Sequence, residues 1–441
     1  MANICVTGIW HQGAVVSACL ADLGNHVRGV CDEKTAAMLN AGKPPVYEPV
    51  LPEMLLRNVE AKRLWFSTDY SEALAEAGFA FICTDTPVDT NDDSDLSSIY
   101  AIAENIGKNI RNDIILCVTA QVPIGTTEDL AKVVRSLAPA HVCSVAYVPE
   151  FLRLGIAVET FRQADRFVIG CNEPDVARRV AALYEPLGRP IVYTDIQSAE
   201  MAKHASNVFL STSISFINEI ANLCEVLGAN ALEVARILKM DKRIGEKAFL
   251  SPGLGFAGGT LGREIRALQK LAITRQISTP LLDAVWEINA ERPQLVSRRL
   301  RDVFGTLEGH QIGILGLTYK AGTSTLRRAI SLDIVRGLVE QGVEVKAFDP
   351  LANLTEVSDT STALSTGLPP MQMCSDPYEV AQGSSALVLV TEWADINSLD
   401  LSRLRQAMRG DVFLDTRNLL DPVRMAQAGF RYFGIGRQYS K

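Results

Sequence analysis

Short apolar runs separated by helix-length stretches organise the first third of the chain. ANICVTG, HVRGVCD, FAFICTD, DIILCVTA and VCSVAYVP read as strands, and their alternation with helical segments predicts a parallel sheet covered by helices. The texture changes near Thr194. From 197 to about 227, apolar positions recur at helical spacing through Met201, Ala205, Val208, Phe209, Thr212, Phe216, Ile220 and Leu223. This predicts one helix of about eight turns, long enough to join domains or to carry a dimer seam. Further helices follow, interrupted by the Gly-rich stretch SPGLGFAGGTLG at 251–262. Strand–helix alternation resumes at QIGILGL, with EVKAFDP, SSALVLVTEW and DVFLDTRN as later strands. The Ser-, Thr- and Pro-rich stretch 351–373 reads as a surface loop. The pattern as a whole is two α/β sheets flanking a helical middle.

Composition narrows the class. At 441 residues the chain has room for several domains, and its 47% hydrophobic and 21% charged residues are those of an ordinary globular protein. The formal charge of −8 argues against nucleic acid or an anionic membrane as the main partner. No run approaches the ~20 apolar residues of a membrane span. The N-terminus lacks signal-peptide features and reads as strand–turn–helix. Nine scattered cysteines, never spaced C-x-x-C, are expected to be buried thiols of a cytoplasmic protein, with no metal site.

The first candidate site follows the first strand. Gly8 and Gly13 are the outer glycines of a G-x-G-x-x-G turn, in which a dinucleotide pyrophosphate meets a helix N-terminus. Trp10 takes the middle position, where an indole occupies space the pyrophosphate would use. A ribose-holding carboxylate belongs about 20 residues further on. Asp32 lies there, 32 − 13 = 19 residues past Gly13, with Cys31 just before it. The motif alone leaves open a strand–turn–helix that holds no cofactor.

Eleven blocks, in order from end to end, carry a resemblance. YEPVLPEML, TPVDTNDDSDL, VPIGTT, PEFLRLGIAVETF, DRFVIG, KHASNVFLSTSISFINEIANLCE, RIGEKAFLSPGLGFAGG, LGLTYKAGT, TEWADI, LDTRNLLDP and YFGIGR resemble segments of the UDP-glucose/GDP-mannose dehydrogenase family. The resemblance implies two Rossmann-like doubly wound parallel-sheet domains joined by a central helical domain with a long connecting helix. The expected division is 1–195 for NAD, 196–302 for dimerisation and 303–441 for the nucleotide sugar. It also implies a cytoplasmic homodimer or higher oligomer, active in polysaccharide biosynthesis on a UDP- or GDP-hexose. The reaction implied is oxidation of the sugar C6 alcohol to a carboxylate by two hydride transfers to NAD⁺, through a thioester on a cysteine.

Carried over residue by residue, the resemblance assigns Lys203, Asn207 and Glu150 to catalysis. Lys203 and Asn207 are one helical turn apart on one face, where a cation and an amide can meet a developing alkoxide. The spacing alone equally fits a solvated lysine. On the cofactor side the resemblance assigns Gly8, Trp10, Gly13, Asp32, Thr86 and Gln121. On the substrate side it assigns Phe151, Leu152, Phe249, Leu250, Gly253, Gly255, Lys320, Arg327 and Arg417, with Arg243 reaching the partner subunit's substrate.

The departures fall at positions of chemistry. Aligned on Arg266-Ala267-Leu268, Thr260 stands at the nucleophilic cysteine, Arg263 at a lysine and Glu264 at an aspartate. Gln121 replaces a threonine and Leu154 an acidic residue. A threonine hydroxyl is far less acidic and nucleophilic than a thiol. Three readings follow: an NAD-dependent oxidoreductase of altered chemistry, a non-catalytic nucleotide-sugar binder, and an isomerase that retains NAD.

Overall fold

The computed structural model describes residues 1–84, 86, 94–326, 328–355 and 367–437. The described chain forms two compact units, 1–205 and 206–441, the division falling inside one long helix.

In the first unit eight strands form one sheet: β1 (Asn3–Thr7), β2 (His26–Val30), β3 (Leu64–Ser67), β4 (Phe79–Ile82), β5 (Ile114–Val118), β6 (Cys143–Tyr147), β7 (Phe167–Gly170) and β8 (Ile191–Thr194). Their order is β3-β2-β1-β4-β5-β6-β7-β8, parallel except where β6 meets β7. The central strands are apolar on both faces because both faces are covered. Ile4 and Val6 of β1 enter one core and Cys5 the other; Ile115 and Cys117 of β5 face the first, Ile114, Leu116 and Val118 the second. Strand β8 is the edge, and there Val192 and Tyr193 are exposed.

The second unit repeats the plan with six strands: β9 (Gln311–Leu315), β10 (Glu344–Phe348), β11 (Gln372–Met373), β12 (Ala386–Leu389), β13 (Val412–Asp415) and β14 (Arg431–Gly434). They run in the order β11-β10-β9-β12-β13-β14, all parallel. Ala386 and Val388 of β12 face one core, Leu387 and Leu389 the other. Residues 356–366 of the expected surface loop lie outside the described residues, and its last residues are not loop: Gln372–Met373 pairs with β10 as an edge strand.

In sequence, the helix Ile196–Leu227, 32 residues and about 48 Å long, follows β8. It starts one residue before the periodicity placed it. Helices Ala231–Met240, Leu261–Thr274, Pro280–Glu291 and Gln294–Phe304 follow. Both sheets have the 3-2-1-4-5-6 order of doubly wound folds, so each has a switch point, at β1/β4 and at β9/β12. Ligands bind outside the carboxyl ends of the strands at such points.

Candidate active site

At the first switch point the chain turns sharply out of β1. Gly8 has φ +74°, and a Cβ there would lie 2.3 Å from the Thr84 nitrogen, so only glycine passes between β1 and the strand beside it. A Cβ on Gly13 would meet the Gly8 carbonyl at 2.7 Å. These two contacts hold the turn against the helix His11–Asp22, whose N-terminus has no side-chain cap. Its first amides are therefore left for an anion. Trp10 precedes that helix with its side chain half exposed, projecting from the turn, and packs edge-on to His11 with ring centroids 6.4 Å apart.

Asp32 sits where a ribose carboxylate was expected, but its side chain caps the helix Glu33–Asn40. Its Oδ1 accepts the Thr35 amide at 2.9 Å and its Oδ2 the Thr35 hydroxyl at 2.5 Å. Those hydrogen bonds hold the carboxyl below its ordinary range. Cys31, half buried just past β2, has its thiol pushed up to about 12 by burial. Past β4 and β5, the buried Thr86 donates its hydroxyl to the Gln121 carbonyl at 2.8 Å. Gln121 is thus brought beside Thr86 at the carboxyl ends of these strands.

The 149–157 segment is fixed by a residue that the sequence did not single out. Glu48, fully buried, accepts the Gly155 amide at 2.9 Å, the Ala157 amide at 2.6 Å and a hydrogen bond with His11 Nε2 at 2.8 Å. One carboxylate therefore ties the dinucleotide turn to the segment carrying Glu150, Phe151 and Leu152. The Glu150 carbonyl accepts Lys203 Nζ at 2.5 Å, and its carboxylate accepts the Leu152 amide. Phe151 lies between two cations, Lys203 Nζ 4.9 Å and the Arg166 guanidinium 4.6 Å from its ring centre. Lys203 is buried, which removes the reading of a solvated helix lysine. Nearby, Glu200 accepts the amides of Gly125 and Thr127, seating the helix Thr126–Leu137, and His204 Nε2 meets the Val122 carbonyl at 2.9 Å.

The second unit holds the other candidates. Asn207, one turn past Lys203, has its Nδ2 buried without a hydrogen-bond partner among the described residues, a donor suited to a ligand oxygen. Thr260 is the N-cap of the helix Leu261–Thr274, exposed, with no side-chain capping bond. Arg263 and Glu264, both buried, form an ion pair at 3.5 Å. Leu250 is buried while Phe249 is 40% exposed. Gly253 donates its amide to Asn218 Oδ1 at 2.9 Å, and Gly255, at φ +89°, lies so close to Asn289 that a Cβ would meet its Oδ1 at 2.3 Å. Arg243 is a surface residue bound to Asp241, whose carboxylate raises it.

At the second switch point Gly316 leaves β9 at φ +90°, tight against Thr391. Lys320 follows on the same turn. Here the turn's amides are already taken: Asp349 Oδ2 accepts Leu317 N at 2.7 Å, Thr318 N at 2.9 Å and Trp393 Nε1 at 3.0 Å. The two sheets therefore differ in kind, the first turn open to a pyrophosphate and the second closed by its own carboxylate. Arg417, just beyond β13, donates to the Val390 carbonyl at 2.6 Å and pairs with Glu392 at 3.1 Å. Arg327 lies outside the described residues.

All nine cysteines are free. Burial pushes Cys5, Cys19, Cys31 and Cys83 up to about 12 and Cys143 to about 11. Cys224, the nearest in sequence to Thr260, is packed in the core with Ala221 and Leu254.

Comparison with known proteins matches this geometry to one family. Models of the UDP-glucose/GDP-mannose dehydrogenase family match in chain order: the NAD binding domain at 2–188, the central domain at 197–291 and the UDP binding domain at 313–422. The chain is 37% identical to a UDP-glucose 6-dehydrogenase of Pseudomonas aeruginosa, over 99% of this chain and 97% of the relative. It is 35% identical to one from Rhizobium meliloti, over 99% of both. Among solved structures it resembles a UDP-glucose dehydrogenase from Pyrobaculum islandicum, with a TM-score of 0.89 and 30% identity over 99% of this chain and 98% of the other.

Proposed function

Since the chain belongs to the UDP-glucose/GDP-mannose dehydrogenase family, we propose that it is an NAD-dependent nucleotide-sugar dehydrogenase that oxidises its substrate once and releases a carbonyl product. Thr260 at the start of the helix Leu261–Thr274 carries this reading. Among the described residues its hydroxyl has no hydrogen-bonding partner, and Cys224, the cysteine nearest to it in sequence, is packed in a core. A four-electron oxidation through a thioester needs a thiolate at that place.

The cofactor fits the first unit. The tight glycines at 8 and 13 and the uncapped helix after them suit a pyrophosphate, with Thr86 and Gln121 beside it and Asp32 at the ribose end. NAD⁺, when bound, supplies the hydride acceptor. Lys203 then does the electrostatic work. Its ammonium is desolvated, aimed by the Glu150 carbonyl and by the Phe151 ring, and lowers the energy of the substrate alkoxide formed as the hydroxyl proton passes to water. One turn further along the same helix, the buried Asn207 Nδ2 is a second donor suited to a ligand oxygen. Leu154 supplies no carboxylate to activate water for a second oxidation. The Glu264 carboxylate is neutralised by Arg263.

A homodimer fits the same account. Phe209, Phe216 and Leu223 recur every seven residues along the helix Ile196–Leu227 and are all exposed, an apolar seam suited to a second copy. Light scattering at micromolar concentration measures it. For the activity, incubation with UDP-glucose, NAD⁺ and hydroxylamine is expected to yield the oxime of a UDP-hexose aldehyde. UDP-glucuronate with no oxime contradicts the proposal.

A further inference from the structure

Two arginines are buried among the described residues, and they differ in one respect. Arg263 faces the carboxylate of Glu264. Arg292, only 2% exposed, faces none. It ends the helix Pro280–Glu291; its Nε (3.1 Å) and Nη2 both donate to the Gly253 carbonyl, and its Nη1 donates to Asn222 Oδ1 at 3.1 Å. Burial, and after it the neighbouring cation Arg298, lowers the guanidinium to about 10. It remains protonated at neutral pH. A buried guanidinium bonded only to neutral oxygens is costly to the unliganded fold.

Its position points to what balances it. Arg292 grips the loop 253–256 from behind, alongside two other buried contacts. Asn218 Oδ1 accepts the Gly253 amide, while the Nδ2 of Asn218 is buried without a partner among the described residues. Asn289 both accepts the Phe256 amide at 2.8 Å and donates to the Phe256 carbonyl at 3.1 Å. In front, a Cβ on Gly253 would lie 3.2 Å from the Thr416 carbonyl, the residue immediately after β13. The loop thus rests on the carboxyl edge of the sheet in the domain matched to UDP binding, the edge where a doubly wound fold takes its ligand.

We propose that Arg292 is a positioning residue for the diphosphate of the nucleotide sugar: its uncompensated charge, transmitted through the Gly253 peptide, is neutralised by the ligand rather than by the protein. This rests on the nucleotide-sugar reading above and adds to it a residue that does not itself touch the sugar. It follows that the arginine is dispensable, or a burden, in the free protein and matters when a phosphate arrives.

The test uses the full-length protein and three variants, Arg292→Met, Arg292→Gln and Arg292→Lys, with UDP and uridine as calorimetric probes and the thermal midpoint of the unliganded protein as control. Arg292→Met and Arg292→Gln are expected to keep the unliganded midpoint or raise it. They should lose about tenfold or more in UDP affinity while uridine changes by less than about threefold. Arg292→Lys, which keeps the charge, should stay within about threefold of wild type for UDP. Equal losses for UDP and uridine, or a loss in Arg292→Lys as large as in Arg292→Gln, would overturn the proposal. So would unfolding of the unliganded variants, because the charge would then serve the fold. Failure of the wild type to bind UDP at all would instead remove the nucleotide-sugar reading.

Discussion

Replacing Lys203 by methionine removes a buried cation and keeps the stem that packs along Phe151. The ammonium makes one hydrogen bond, to the Glu150 carbonyl, and lies over one aromatic ring. Loss of that bond and of the cation–π contact costs the fold roughly 1–3 kcal/mol, partly offset because a charge no longer has to be buried. The effect on the reaction is larger. A preorganised donor aimed at a developing oxyanion contributes about 10²–10³ in kcat, equivalent to about 2.7–4 kcal/mol of barrier. The ammonium is already held by the Glu150 carbonyl before substrate arrives, so ground-state binding changes little. Lys203→Met should therefore lower kcat at least a hundredfold with KM within about threefold. The assay is initial-rate NADH formation at saturating substrates, with a melting curve of the same sample to show that it is folded. A kcat within about threefold of wild type in a folded variant refutes the role given to this lysine.

Three further outcomes are expected. Trp10→Gly should bind NAD⁺ several-fold more tightly by calorimetry, since the half-exposed indole stands at the mouth of the pyrophosphate turn; weaker binding would show that the indole aids the cofactor instead. Iodoacetamide at pH 7.5 should leave turnover intact. Cys31 and Cys83, at about 12, are roughly one part in ten thousand thiolate near pH 8, so their labelling should rise only as pH climbs toward that value, and inactivation at neutral pH would reveal a working thiol. Glu48→Leu should destabilise the first unit by roughly 3–5 kcal/mol in denaturant unfolding, because the Gly155 and Ala157 amides and His11 lose their acceptor; a change below about 1 kcal/mol would contradict the network.

The parallel sheets were legible in β1, β4, β5, β6, β12 and β13, whose strands are mostly apolar and mostly buried. Strands β3, β7, β8 and β14 were not read as strands. β3, β8 and β14 mix exposed or half-buried side chains into four residues, so little periodic signal builds up, while β7 was missed although its FVIG is buried throughout. Lys203 was singled out by the family resemblance, since its spacing from Asn207 alone fitted a solvated lysine equally well, and its burial was not legible because Glu150 and Phe151 lie more than fifty residues away. Asp32 shows a local competition: the Asp-x-x-Thr that follows β2 is also a helix-capping pattern, and the side chain caps. Asn218, Asn289 and Arg292 carried no signal, because most of their partners are backbone groups of a distant loop. Glu48 was not legible either, because the Gly155 and Ala157 amides that it accepts lie more than a hundred residues away.

The reaction's electron count tests the central claim most directly. UDP-glucose in limiting amount, with excess NAD⁺, is followed at 340 nm to completion while intact-protein mass is recorded during turnover. One NADH per sugar consumed, with no acylated protein, is the result the Thr260 site predicts. Two NADH per sugar, with a sugar-derived adduct on any cysteine, would contradict it.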